Sequence, residues 1–281
     1  MTARGSLARL VLVGLASLAA CAPLAPAGPP VTAPAAPPAG RQTLDVFAAA
    51  SLVDVFGELG RRFETAHPGA HVVFNFAGSQ QLRVQLEQGA SADVFASANR
   101  REMDAAIGAS LVVSGTPRVF AHGHLVAIIP AANPGHVSTL ADLARPGLKL
   151  VVTDRAVPAG QYTLEMLHAA SRDPAFGADF ADRVLANVVS REDNVKSAVA
   201  KVRLGEADAG IVYTTDAAGA AAADLKTLPI PDRLNPIADY PIAVLARARQ
   251  PELARQFVAF VLSAEGQRVL AGFGFIPAAG S

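Results

Sequence analysis

The chain has no tryptophan, three tyrosines and a single cysteine among 281 residues. With aromatic residues at only 6%, it offers little surface for stacking on sugar rings or nucleic-acid bases. One cysteine excludes an internal disulfide framework and a thiolate metal cluster. Charged residues make up only 17%, divided evenly between 24 basic and 24 acidic, so no field of one sign draws in a polyanion. Motifs for covalent or phosphate chemistry are missing too: there is no G-x-S-x-G, G-x-x-x-x-G-K-[ST], H-E-x-x-H or G-x-G-x-x-G. Of the six histidines only His122 and His124 are close together. Without a cysteine or clustered acid beside them they read as a loop rather than a metal site.

What is present begins with MTARGSLARLVLVGLASLAAC. Arg4 and Arg9 precede an apolar run from Leu10 to Ala20, shorter than the ~20 residues that span a bilayer and proportioned like a secretory signal. Its end, Leu18-Ala19-Ala20-Cys21, resembles the bacterial lipobox; this implies a signal peptide over residues 1–20 and a lipid on Cys21. From Ala22 to Gly40 the chain is almost entirely Pro, Ala and Gly, with no charge. Such a stretch cannot bury enough apolar surface to fold and extends at ~3 Å per residue. Residues 21–41 are therefore expected to be a lipid-anchored linker that holds the globular part at the outer face of a membrane. Removing residues 1–20 takes two of the 24 basic residues and none of the 24 acids, leaving a formal charge of −2. An anion bound by this protein must be gripped by local donors.

Beyond the linker, hydrophobic periods alternate between strand and helix. Leu44 to Ala49, His71 to Phe76 and Asp93 to Ala96 have strand length, and Val55, Phe56, Leu59 and Phe63 fall at helical spacing between the first two. This βαβαβ order predicts a mainly parallel sheet flanked by helices. Leu125 to Pro130, Leu148 to Thr153, Ala209 to Tyr213 and Tyr240 to Leu245 are further strands. Val184 to Val189 forms one apolar run, and Glu252 to Leu270 reads as one helix. The pattern is compatible with one large sheet or with two lobes. In the two-lobed arrangement residues 42–124 plus 240–281 form lobe 1 and residues 125–239 form lobe 2.

One local geometry recurs: an apolar strand, a turn of small or hydroxylated residues, then a helix start. It occurs at Ala50-Ser51, Gly78-Ser79, Ala159-Gly160, Asn194-Val195 and Tyr213-Thr214. A helix start presents backbone N–H groups without internal partners and carries roughly half a positive charge. Several converging starts would make an uncharged anion site, and in open α/β sheets such turns lie along one edge. Taken singly, each is also an ordinary capped loop. A secreted hydrolase using Ser51 or Ser79 is a different reading, but it requires a histidine base that neither serine has nearby in sequence.

The segments VFAAASL (46–52), FNFAGSQQL (74–82), GASADVFASA (89–98), VPAGQY (157–162), REDNVKSA (191–198) and GEADAGIVYTTDA (205–217) resemble, in order, the molybdate-binding lipoproteins and periplasmic proteins that feed bacterial ABC importers. The resemblance implies a type II periplasmic-binding-protein fold, two α/β lobes closing on a cleft. It implies an oxyanion held by Ser51, Ser79, Ala159, Val195 and Tyr213, with molybdenum bound only as molybdate, and tungstate as a second ligand. It further implies no cofactor, no catalysis and no nucleic-acid partner, but a monomer that meets an ABC permease and its ATPase. A receptor for another oxyanion, such as sulfate or phosphate, is the alternative. The segment from Ser171 to Val189 looks longer than in the shortest family members and enlarges the second lobe.

Overall fold

The structure, a computed structural model, describes residues 42–218 and 222–278. The expected signal peptide, Cys21 and the linker to residue 41 lie outside the described residues. Among these residues no helix is long and apolar enough to cross a membrane.

The described residues start in β1 (Gln42–Ala49), turn through a short 3-10 segment at Ala50–Leu52 into α1 (Val53–Ala66), and continue through β2 (Ala70–Ala77), α2 (Ser79–Glu87), β3 (Val94–Ala96), α3 (Arg100–Gly108) and β4 (Arg118–Gly123). It then enters a second sheet: β5 (Leu125–Pro130), β6 (Leu150–Thr153), α4 (Pro158–Arg172), α5 (Phe180–Ala186), β7 (Val188–Glu192), α6 (Val195–Arg203), β8 (Ala209–Tyr213) and β9 (Leu225–Pro229). Finally β10 (Ala238–Val244), α7 (Pro251–Leu262), α8 (Ala264–Gly272) and β11 (Ile276–Pro277) return to the first. The strand orders are β2-β1-β3-β10-β4-β11 and β7-β6-β8-β5-β9, giving two α/β lobes.

Parallel pairing, expected through most of each sheet, is confined to one side of each, β2-β1-β3 in the first and β7-β6-β8 in the second. β1 pairs in parallel with β2 and β3, and β6 with β7 and β8. β10 runs antiparallel to β3 and β4, and β5 antiparallel to β8 and β9. The reason is topological: β4, β5 and β10 carry the chain between sheets, so each sheet contains strands that arrive by crossing rather than through a right-handed βαβ unit. The two crossings are tied at one point, where the Leu125 N–H donates to Asn235 Oδ1 at 3.0 Å and Asn235 Nδ2 donates back to the Leu125 carbonyl at 2.8 Å.

Apolar patterning dictates the packing. In β1, Leu44 and Val46 to Ala49 are buried because helices cover both faces of a central strand. The face of α1 carrying Val55, Phe56, Leu59 and Phe63 packs on the first sheet; Phe56 meets Phe120 at 5.6 Å and Phe63 meets Phe257 at 5.3 Å between ring centres. A Cβ at Gly60 would lie 2.7 Å from Phe74 Cε2, so glycine there lets α1 press against β2.

Two expected elements are divided. The run Val184 to Val189 is split at Asn187, which ends α5 and anchors itself by donating from Nδ2 to the carbonyls of Leu143 and Arg145 at 2.9 and 2.7 Å. The helix expected over Glu252 to Leu270 breaks at Ser263, whose Oγ accepts from the Gly266 N–H at 3.2 Å as the cap of α8. The apolar period continues across that break, so periodicity alone does not see it.

Candidate functional site

The turns that follow β1, β2 and β3 face those that follow β6, β7 and β8 across the cleft between the lobes. Together they line one small pocket to which Ser51, Ser79 and Ala98 contribute from the first lobe and Ala159, Val195 and Tyr213 from the second. The five residues expected at the site are thus brought together. The space is about 10 Å³ for the centre of a water-sized guest, which suits one compact ion and no organic molecule. Larger clefts, of about 430 Å³ beside Leu86 and Arg247 and about 660 Å³ beside Ile129 and Lys226, lie elsewhere and gather no helix starts.

Each helix start is shaped to leave amides for a guest. Gly78 precedes α2 and has no side chain to cap it; its own N–H donates to Gln81 Oε1 at 3.1 Å. The first amides of α2, on Ser79 and Gln80, therefore have no acceptor within the helix. At α4 the first residue is Pro158, which has no N–H, so the amides of Ala159 and Gly160 lead. Gly160 is obligatory, since any Cβ there collides with the Asp154 carbonyl. At α6 the Asn194 side chain accepts from the Ser197 N–H at 3.0 Å, which occupies the third amide and leaves those of Val195 and Lys196.

The hydroxyls divide into two kinds. Ser79 Oγ accepts from the Ala98 N–H at 3.0 Å, which leaves its proton free to donate. Ser51 Oγ and the Tyr213 hydroxyl are buried, 5% and 1% exposed as residues, and have no hydrogen-bond partner. A buried hydroxyl left unpaired costs about 1–3 kcal/mol, so two on one pocket mark a place built for a ligand. Burial holds the Tyr213 phenol well above its ordinary range, which keeps it a proton donor.

None of the pocket-lining side chains is charged. The nearest cation, Lys196 on α6, is held by Asp54 at 2.9 Å and Asp216 at 3.3 Å. Desolvation works against its charge, but the two carboxylates prevail and its ammonium stays protonated above the ordinary lysine range. Asp216 is fully buried, and that burial pushes its carboxyl up to about 6 against the opposing pull of Lys196. The charges behind the site are therefore compensated, and attraction for an anion rests on dipoles.

Sequence reasoning missed the contacts that bridge the lobes. Gln80 Nε2 donates to the Asp193 carbonyl and Gln81 Nε2 to Asp193 Oδ2, both at 3.0 Å; Asn99 Nδ2 donates to Gln161 Oε1 at 3.0 Å; Lys196 reaches Asp54. A signal was present in the polar residues immediately after each turn, but their partners lie about 60 to 140 residues away in sequence.

A family model described as bacterial extracellular solute-binding protein matches residues 44–276. The molybdate-binding protein ModA of Mycobacterium tuberculosis is 41% identical over 261 residues, 93% of each chain. The solved substrate-binding domain of a putative molybdenum ABC transporter from Clostridium difficile is 28% identical, with a TM-score of 0.62 over 84% of this chain and 99% of that one. The periplasmic molybdate-binding protein of Azotobacter vinelandii is 20% identical and has the same two-lobed fold, with a TM-score of 0.73 over 84% of this chain and 99% of its own. With nearly the whole described chain spanned by the family model, this protein belongs to the bacterial extracellular solute-binding proteins.

Proposed function

We propose that this protein captures molybdate, and tungstate comparably, outside the cytoplasm and hands it to an ABC permease with its ATPase. The observation that carries this reading is the convergence of Ser51, Ser79, Ala159, Val195 and Tyr213, from both lobes, on one small pocket without a charged lining residue. A tetrahedral dianion has only lone pairs to offer, so a lining of donors satisfies it, whereas hydrogen phosphate also brings a proton that needs an acceptor. Hydrogen bonds to a charged group contribute about 1.5–3 kcal/mol each. Six or seven, less the cost of stripping the anion of water, leave room for about −8 kcal/mol, micromolar binding or tighter.

Sulfate has the same charge and shape on a smaller radius. Donors fixed by two lobes in contact cannot all follow it inward, so radius is the filter. No histidine lines the pocket, so the serines lack a base there, which favours capture over hydrolysis. Residues 1–20 act as the signal peptide, and Cys21 with linker 21–41 attaches the folded part to a membrane. Lobe 1, residues 42–124 plus 240–281, and lobe 2, residues 125–239, close as two bodies. The test is a calorimetric titration of the purified protein with molybdate, tungstate, sulfate and phosphate. Molybdate and tungstate should bind at micromolar concentration or below, and sulfate at least tenfold more weakly; equal affinity for sulfate ends the radius argument.

A further inference from the structure

Tyr240, on the crossing strand β10, is fully buried, and its hydroxyl has no hydrogen-bond partner. The hydroxyl sits beside those of Ser51 and Tyr213, close enough for both to bear on its ionisation, although no pair is in hydrogen-bond geometry. Its ring lies 5.6 Å from the Tyr213 ring and is fixed from behind by Phe120 at 6.2 Å and Phe275 at 5.2 Å between centres. The register of β10 against β4 shifts between Tyr240 and Pro241, an irregularity of the kind that re-aims a side chain. Tyr240 does not line the pocket itself.

Three unpaired hydroxyls thus meet behind the anion position: Ser51 from the first lobe, Tyr213 from the second, and Tyr240 from a strand that joins them. Each has one proton and two lone pairs. When Ser51 and Tyr213 give their protons to a dianion, their oxygens are left able to accept, and Tyr240 stands beside them with a proton to give. Burial holds the Tyr240 phenol well above its ordinary range, so the proton is present at any physiological pH.

We infer that Tyr240 is a positioning residue for oxyanion binding, its hydroxyl aligning and polarising the Ser51 and Tyr213 hydroxyls across the two lobes. This rests on the oxyanion reading of the pocket. A chain of hydrogen bonds running Tyr240 to Ser51 or Tyr213 to the anion strengthens each link, and it forms fully only when both lobes are in place.

The test is Tyr240→Phe, which keeps the ring and removes only the hydroxyl, with molybdate as the probe. Molybdate affinity should fall roughly 3- to 30-fold, inside the range found for coupled neighbours. The melting temperature without molybdate should stay unchanged, because no hydrogen bond of the free protein is lost. In the Ser51→Ala,Tyr213→Phe background the same substitution should cost little, since the hydroxyls it acts through are gone; a merely structural role would cost as much there as in the wild type. Gly123→Ala gives a second handle: its Cβ would stand 3.3 Å from Tyr240 Cε2 and displace the ring. It should weaken molybdate binding when Tyr240 is present and far less when Phe is. Wild-type affinity in Tyr240→Phe, or an equal loss in both backgrounds, overturns the inference while leaving the oxyanion site intact. Failure of the wild type to bind molybdate overturns both.

Discussion

The two serines at the mouth of the cleft are chemically alike and physically different. Ser51 Oγ is buried without a partner, whereas Ser79 Oγ accepts the Ala98 N–H. Replacing either by alanine removes one donor to the proposed anion and should weaken molybdate binding by about 1–3 kcal/mol. Stability should separate them. Ser51→Ala deletes an unpaired polar group and should leave the ligand-free melting temperature unchanged or slightly higher. Ser79→Ala strands a buried amide and should lower stability by about 1–3 kcal/mol. Denaturant unfolding without ligand, run beside calorimetry, reads both; equal stabilities would mean that the Ala98 bond carries no weight. The serines were legible because the same strand, small turn and helix start recurs along the chain and the segments around them resemble a known family; taken singly, each reads as an ordinary cap. Tyr240 was not, because in YPIAVL it looks like any strand aromatic, and only the folded chain shows its hydroxyl beside two others.

At the level of elements, the helix starts matter more than the helices. The strands before them were readable as short apolar runs, and the turns as small residues, so the order of the site followed from the chain. The sense of β5 and β10 was not readable, since a strand's sequence does not record which sheet it crosses into, and the Ser263 break was hidden by a continuous apolar period. Gly78 illustrates what a turn residue does beyond its own element. A Cβ there would stand 2.5 Å from the Asp193 carbonyl of the opposite lobe. Gly78→Ala should wedge the lobes apart and cost about 1–3 kcal/mol of molybdate affinity, while each lobe keeps its own packing. A matching loss of stability in the ligand-free protein would instead place the need for glycine within α2.

Across the whole molecule the lobes meet through compensated charge and amide contacts as well as through apolar packing such as that of Tyr213 on Tyr240. Lys196 joins Asp54 of one lobe to Asp216 of its own, and this sets a pH dependence. The Asp216 carboxyl has an ordinary value of 3.8 and is raised by burial to about 6 in the folded chain. Between those values the folded state binds more protons than the unfolded one, so this group's contribution is fully present below 3.8 and is lost as pH rises through about 6. Asp216→Asn should remove that downward slope, leaving Lys196 with Asp54 and the Tyr213 amide without its carboxylate acceptor. Unfolding free energies measured across that pH interval for both proteins check the sign; a wild-type slope in the variant would exclude Asp216 as its source.

The strand order has one more outcome, in time rather than in space. Because β10 lies between β3 and β4, the first sheet has a gap at its middle that only a segment from near the end of the chain can fill. A chain emerging amino end first can complete the second sheet from consecutive residues before β10 arrives to complete the first. Closing so long a loop is slow, so the domain that begins the chain is the last to become whole.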